Sequence, residues 1–320
     1  MDKKKVFITY KIPESGIQLL LKNNYDVKIY SRKSLITKKE LIKKVSKVDA
    51  VISLLTDKID REVIDSMNRC KIIANYAVGF NNIDIGYAKE KGIIVTNTPD
   101  VLTDSTADLT MALVLACLRR VTEGEKIMRK KQFEGWRPKL LLGYELKEKI
   151  FGIVGMGRIG YAVAKRAFAF GCKIIYFSRS KNPEAENHLG AKRVTLETLM
   201  KKSDIISLHI PLTNETRNLI NSELLSLMKK NSVLINTARG EVIDEKYLIT
   251  LLKKQKIFAA GFDVYENEPN INPELLKLDN VVLLPHIGSA THEARNAMSL
   301  LAAKNVISVL SGKKPLTPVY

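Results

Sequence analysis

Apolar positions along the first hundred residues alternate between two rhythms. Short, nearly continuous apolar runs at Val6–Thr9, Val27–Tyr30, Ala50–Leu55, Ile72–Ala77 and Ile93–Asn97 predict strands. Between them, Pro13–Lys22, Leu35–Val45, Arg61–Met67 and Ile83–Lys91 carry the spacing of helices. Thr37 and Glu40 form a T-x-x-E capping box that fixes one helix start. A second series follows, with strands at Phe151–Val154, Lys173–Phe177, Ile205–His209, Val233–Asn236, Ala259–Phe262 and Val281–Leu284. Its helices are expected near Arg158–Phe170, Leu196–Lys202, Ser222–Lys229 and Glu245–Lys254. Such alternation predicts an α/β protein with parallel sheets covered by helices on both faces. Two long amphipathic segments, Ser105–Arg119 and His292–Leu310, flank the second series and are assigned as the crossings between domains. The first domain is then discontinuous, residues 1–101 plus 288–320, and the second spans residues 102–287.

Length and composition agree with that division. A chain of 320 residues exceeds a typical single domain, and 45% hydrophobic content is ordinary for a globular protein with sizeable cores. The formal charge of +18 would favour nucleic acid or acidic ligands if it were clustered. Its lysines are instead scattered over the polar sides of helices, as in Thr37–Lys47, Met200–Lys202 and Lys253–Lys256. Solvated faces are the better reading, and neither nucleic acid nor a membrane is expected as a partner. The positive field can still gather small carboxylates. Cys70, Cys117 and Cys172 lack metal or C-x-x-C spacing and lie among apolar neighbours, so no metal site is expected. They read as small core residues in a reducing compartment. No window reaches the length of a membrane span, and Met1–Lys5 lacks the hydrophobic core of a signal peptide. A cytoplasmic protein is expected.

The most specific local signal is Gly155-Met156-Gly157-Arg158-Ile159-Gly160, between the apolar run Ile150–Val154 and a helical pattern. In that context a G-x-G-x-x-G match points to a dinucleotide. Gly155 permits the sharp turn, Gly157 lets backbone approach a pyrophosphate, and Gly160 lets the helix pack on the sheet. The helix's free N–H groups, with Arg158 and Ile159 in its first turn, then meet the anion. The plainer alternative is a glycine-rich turn that binds nothing.

Ligands of doubly wound sheets lie beyond the carboxyl ends of the strands. At those ends in the second series stand Arg239, Glu268 and His286. Hydride transfer to a ketone needs a proton donor for the nascent alkoxide, which histidine supplies near neutral pH. It also needs a cation to polarise the carbonyl and hold a carboxylate, and arginine's planar fork suits both tasks. A carboxylate beside the imidazole orients it and favours its protonated form. Taken singly, Arg239 could pair with a helix end, Glu268 could be a loop charge and His286 a core histidine. Together, at equivalent strand ends, they favour function. Of the other histidines, His188 reads as exposed, His209 as support for the fold or cofactor loop, and His292 as a solvated first-turn residue.

Several longer segments carry a resemblance: Asn75–Asp84, the glycine loop, Pro211–Thr213, Asn236–Gly240, Asp263–Pro269 and Pro285–Ala290. Together they resemble the D-isomer-specific 2-hydroxyacid dehydrogenase family, nearly end to end. Within it, Lys11–Glu14, Ala74–Tyr76, Asn97–Thr103 and Leu142–Tyr144 are similar to the glyoxylate/hydroxypyruvate reductases. The resemblance implies two Rossmann-like domains, the first flavodoxin-like and substrate-binding, with the active site in the cleft between them. It implies catalytic roles for Arg239, Glu268 and His286, a substrate-carboxylate grip by the Val78 and Gly79 amides, and places for Leu55 and Ser289 near the substrate. Thr110, Pro211, Thr216, Thr237, Ala238, Asp263 and Gly288 would surround the cofactor, Asp263 near the nicotinamide amide. It also implies a homodimer through the cofactor domains, with Trp136 either reaching the partner's active site or serving as a core or interface anchor.

One departure bears on the cofactor. NAD-preferring sites place an acid at the end of the second Rossmann strand, but here the chain reads Tyr176-Phe177-Ser178-Arg179-Ser180-Lys181. Ser178, Arg179 and Ser180 suit a 2′-phosphate, so NADP(H) is favoured and NAD(H) stays open. The reaction expected is reduction of a small 2-oxoacid, glyoxylate or hydroxypyruvate, to the (D-)2-hydroxyacid. The alternative is a D-3-phosphoglycerate or other D-2-hydroxyacid dehydrogenase, with a formate or phosphite dehydrogenase behind it. More remote is a dinucleotide-sensing transcriptional corepressor.

Overall fold

Five short strands, β1 (Lys5–Ile8), β2 (Asp26–Ile29), β3 (Ala50–Leu54), β4 (Ile72–Tyr76) and β5 (Ile94–Thr96), form one sheet in the order β2-β1-β3-β4-β5. All of its pairings are parallel, the flavodoxin-like order. β4 is buried at every position and β3 at all but its last, as strands covered on both faces must be. The computed structural model describes residues 3–320. This sheet belongs to a compact unit that runs up to Leu102 and resumes from Ser289 to Tyr320. The returning helix, His292–Leu310, is tied to it by Ser299, whose hydroxyl accepts from Gly16 N at 3.1 Å and donates to Pro13 O at 2.7 Å. The capping box at Thr37 and Glu40 is formed.

The second unit is Thr103–Gly288. Its strands are β6 (Ile150–Val154), β7 (Lys173–Phe177), β8 (Lys192–Arg193), β9 (Ile205–Leu208), β10 (Val233–Asn236), β11 (Ala259–Phe262) and β12 (Val281–Leu283). They run parallel in the order β12-β11-β10-β9-β6-β7-β8, so strand order reverses between β6 and β9. Alternating side chains feed two cores. Phe151, Ile153, Ile205, Val233 and Ile235 face the helices Thr103–Leu118 and Arg158–Ala169, whereas Val154, Ile206, Leu208, Leu234 and Phe262 join residues of Leu196–Lys202 and Glu245–Lys253. Burying each large apolar side chain contributes about 1.5–3 kcal/mol. The chain therefore forms two parallel-sheet α/β domains of Rossmann type.

Several details depart from the sequence expectations. β8 was not expected, since two polar residues carry no strand pattern and only pairing with β7 defines it. Nor were the helices Val121–Arg129 and Pro273–Leu276. The first follows directly on a helix after Arg120 takes a left-handed φ of 52°, and it buries none of its own residues. The three cysteines are free and buried, and burial pushes the Cys70 thiol up to about 12. No helix among the described residues is long and apolar enough to cross a membrane.

Candidate active site

The glycine loop sits where strand order reverses. Gly155 has φ 98°, and a Cβ there would lie 2.6 Å from His209 O. At Gly160 a Cβ would meet Gly155 O at 2.0 Å, so the helix start packs directly on the loop. Gly157 differs, because a Cβ there would touch nothing within 4 Å. The helix it caps, Arg158–Ala169, has no side-chain cap and no acid in its first turn. Open space in front of uncapped, positively polarised N–H groups fits a pyrophosphate. Arg158 is exposed and Ile159 half-buried beside it.

The next strand leads to Ser178, Arg179 and Ser180, which are partly or fully exposed. Two residues that the sequence reading did not single out hold this loop. Arg193 on β8 donates to Ser178 O at 3.0 and 2.9 Å and to Arg179 O at 2.8 Å. Asn182 caps the following helix and donates to Met156 O at 3.1 Å, tying the loop to the glycine turn. Asn before Pro183 is a legible cap signal. Arg193 had no sequence signal, because its partners lie across an edge strand.

Other residues assigned to the cofactor have structural partners of their own. Thr216 donates to Pro211 O at 2.6 Å and accepts from Thr213 N, locking the turn after β9. Thr110 donates to Thr106 O at 2.8 Å, so Thr237, 3.0 Å away, donates to Thr110. His209 lies beside Ser207 Oγ at 2.8 Å, and burial lowers its pKa to about 3, so it stays neutral near pH 7. His188 and His292 are exposed.

At the end of β10, buried Asn236 accepts from Ala238 N at 3.0 Å and donates to Arg239 O at 2.7 Å. That grip turns the chain so that Gly240 packs on the Tyr265 backbone, where a Cβ would lie 2.0 Å from Tyr265 C. Arg239 is half-buried there and donates to Ala238 O at 2.6 Å. Burial pulls its pKa down while the charges of Glu268 and Glu241 oppose that, and a guanidinium keeps its charge throughout.

His286 Nδ1 lies 2.7 Å from Glu268 Oε2. A carboxylate only accepts, so this ring nitrogen carries the hydrogen and Nε2 faces elsewhere. Glu268 Oε1 accepts from Tyr265 N at 3.0 Å. Burial alone raises the Glu268 pKa, but the His286 contact, the Tyr265 amide and the Arg239 charge outweigh it and hold the carboxyl below its usual range. His286 has a left-handed backbone, φ 57°, which costs a non-glycine residue about 1–3 kcal/mol. Asp263, 1% exposed, restrains that conformation: its two oxygens accept from Ile287 N and Gly288 N, each at 2.7 Å. Burial raises the Asp263 pKa, opposed by the two amides and the His286 charge. Arg239, Glu268 and His286 thus gather at the carboxyl edge of one sheet.

Trp136 is 82% exposed in this unit. A cavity of about 550 Å³, lined by Arg120, Lys230, Phe258 and Asn280 among others, opens at the other edge of the sheet and contains none of the assigned site residues. Among the described residues no group of three or more His, Cys, Asp or Glu is arranged to hold a metal ion.

In the first unit, Val78 and Gly79 are half-buried in the loop after β4, and among the described residues nothing accepts from either amide. Leu55 follows β3 and is half-buried, as is Ser289.

Residues 111–288 match the model of the D-isomer specific 2-hydroxyacid dehydrogenase, NAD binding domain. The chain belongs to this family. A glyoxylate reductase of Thermococcus litoralis is 53% identical over 317 residues, covering 98% of this chain and 96% of that protein. A crystal structure of a Thermus thermophilus protein superposes with a TM-score of 0.93 at 42% identity, covering 99% of this chain and 100% of that one. An NADPH-dependent glyoxylate/hydroxypyruvate reductase from Sinorhizobium meliloti, solved with NADP and malonate, gives a TM-score of 0.87 at 34% identity over 99% and 97% of the two chains. This D-2-hydroxyacid dehydrogenase family member is an oxidoreductase, and its second unit is the nicotinamide-dinucleotide-binding domain.

Proposed function

We propose that this oxidoreductase reduces a small 2-oxoacid, glyoxylate or hydroxypyruvate, to the 2-hydroxyacid, of D configuration where the carbon is chiral. The observation that carries the reading is the 2.7 Å His286–Glu268 pair with Arg239 charged beside it, on the sheet edge that bears the glycine loop. When bound, the reduced nicotinamide supplies the hydride. The Val78 and Gly79 amides and Arg239 take the substrate carboxylate, and the guanidinium polarises the ketone. His286 gives the alkoxide its proton from Nε2, the nitrogen left over once Nδ1 donates to Glu268. Glu268 fixes the ring and counters its positive charge.

NADPH is the favoured cofactor. The end of β7 bears no acid to bind ribose hydroxyls or repel a 2′-phosphate, and Arg193 holds Ser178 and Arg179 in an exposed loop there. The protein works as a homodimer joined through its cofactor domains, with Trp136 reaching the partner's site. Support comes from the helix Val121–Arg129, none of whose residues is fully buried, and from Met128 at 61%, Trp136 at 82% and Leu142 at 61% exposure. The test is a cofactor-oxidation assay crossing NADH and NADPH with glyoxylate, hydroxypyruvate, pyruvate and phosphohydroxypyruvate. Fastest turnover of glyoxylate or hydroxypyruvate with NADPH is expected. Inactivity on all four substrates refutes the reading, and equal use of the two cofactors refutes its cofactor part.

A further inference from the structure

The loop that carries Val78 and Gly79 is anchored through its carbonyls. Ala77 O accepts from Thr98 N at 2.8 Å, Val78 O from Asn97 Nδ2 at 2.8 Å, Gly79 O from Asn75 Nδ2 at 2.9 Å and Phe80 O from Ile83 N at 3.1 Å. In a trans peptide the carbonyl of one residue and the N–H of the next point in opposite directions. Holding Ala77 O therefore aims the Val78 N–H, and holding Val78 O aims the Gly79 N–H. Both restraints come from the neighbouring pair Asn97 and Thr98.

That pair is braced in turn. Thr317 Oγ1 donates to Asn97 O at 2.6 Å, and Asn97 N donates to Thr317 O at 3.2 Å. Fully buried Asn305, on the helix His292–Leu310, donates to Thr317 Oγ1 at 2.9 Å and accepts from Leu316 N and Thr317 N at 2.9 and 3.1 Å. Four polar side chains thus converge behind two amides that no described group accepts from.

We propose that Asn97, braced by Thr317 and Asn305, is a positioning residue that aims the Gly79 amide at the substrate carboxylate, with Asn75 steadying the next peptide. The proposal rests on the functional reading above, in which these amides bind that carboxylate. Asn97 touches neither substrate nor cofactor. Its effect belongs to affinity for the oxoacid rather than to hydride transfer.

The test compares Asn97→Leu, Thr317→Val and Thr317→Ser with the unaltered enzyme by steady-state kinetics on glyoxylate, with melting temperature alongside. Asn97→Leu is expected to raise KM for glyoxylate about tenfold, the loss of one well-aimed hydrogen bond. Turnover and KM for NADPH should stay within about twofold, since uniform binding alone is lost. Thr317→Val should give a smaller rise of the same kind, and Thr317→Ser, which keeps the hydroxyl, should restore the original value. An unchanged KM for glyoxylate in Asn97→Leu overturns the proposal. So does a parallel rise in both KM values with a falling melting temperature, the mark of a merely structural role. If the unaltered protein reduces no 2-oxoacid, the functional reading fails separately, and oxalate titrated calorimetrically into the NADPH-saturated protein replaces the kinetics. Weaker oxalate binding by Asn97→Leu then supports the positioning role. Equal affinities, or no binding by the unaltered protein, overturn it.

Discussion

Replacing Asp263 by Asn separates the stability of the cofactor domain from the placement of His286. The carboxylate is 1% exposed and holds two consecutive backbone amides, Ile287 and Gly288, at 2.7 Å each. An Asn side chain offers one acceptor oxygen and turns an NH₂ group toward the other amide. Leaving a buried amide unmade costs about 1–3 kcal/mol. Burial of the Asp263 charge works in the opposite direction, because it already holds that pKa above its ordinary 3.8, and Asn relieves the penalty. The two effects nearly cancel, so melting should change by no more than the ~2–4 °C that about 1 kcal/mol produces in a domain of this size. Catalysis lacks such compensation. His286 keeps its left-handed φ of 57° only while the following peptides are held, and weakening that restraint by about 1.4 kcal/mol is tenfold in rate. A kcat for 2-oxoacid reduction lowered about tenfold, with melting preserved, is the expected result. The pH dependence has a definite sign. A folded-state pKa above the unfolded value contributes stability present below pH 3.8 and lost as pH rises through the folded value. Relative to Asp263→Asn, the unaltered protein should therefore gain stability as pH falls from 7 toward 4. A variant that is fully active and equally stable would falsify the restraint argument.

Other outcomes follow from the same geometry. His286→Ala should lower kcat by on the order of 10²–10⁴ while leaving dinucleotide affinity, measured by fluorescence titration, nearly unchanged. Full activity in that variant removes the acid role. Gly157→Ala should keep the melting temperature, since its Cβ meets no protein atom within 4 Å, yet weaken cofactor binding, whereas Gly160→Ala should destabilise because its Cβ would lie 2.0 Å from Gly155 O. The reverse order of effects refutes the placement of the pyrophosphate. Glu268, whose pKa is held below 4.5, contributes stability that is complete above that value and lost as pH falls through its lower folded value. Acid unfolding of Glu268→Gln should lack that component, as seen by circular dichroism below pH 4.5.

Much of this architecture was legible because buried parallel strands are written as apolar runs. Ala50–Leu54 and Val233–Asn236 need no partner information to be recognised. Lys192–Arg193 does need it, being a strand only by virtue of its neighbour β7. The gathering of Arg239, Glu268 and His286 was legible for a different reason: in a doubly wound sheet, position after a strand end is itself a location in space. What escaped was the layer that holds His286 and the Val78–Gly79 loop in place. Asp263 reaches amides 24 and 25 residues away, and Thr317 reaches Asn97 across 220 residues, separations at which no local spacing rule operates. The neutrality of His209 was equally invisible, because desolvation by the folded surroundings produces it.

The split first unit has a consequence for synthesis on the ribosome. Tyr76 meets its acceptor Arg295 only after 219 further positions, and Gly16 meets Ser299 after 283. The nucleotide-binding unit, being continuous, can complete its fold while the earlier sheet still awaits its last helix. Vectorial folding thus runs inside out. A released chain truncated after Gly288 would carry a finished dinucleotide fold beside an unfinished sheet, whose uncovered apolar surface invites chaperones.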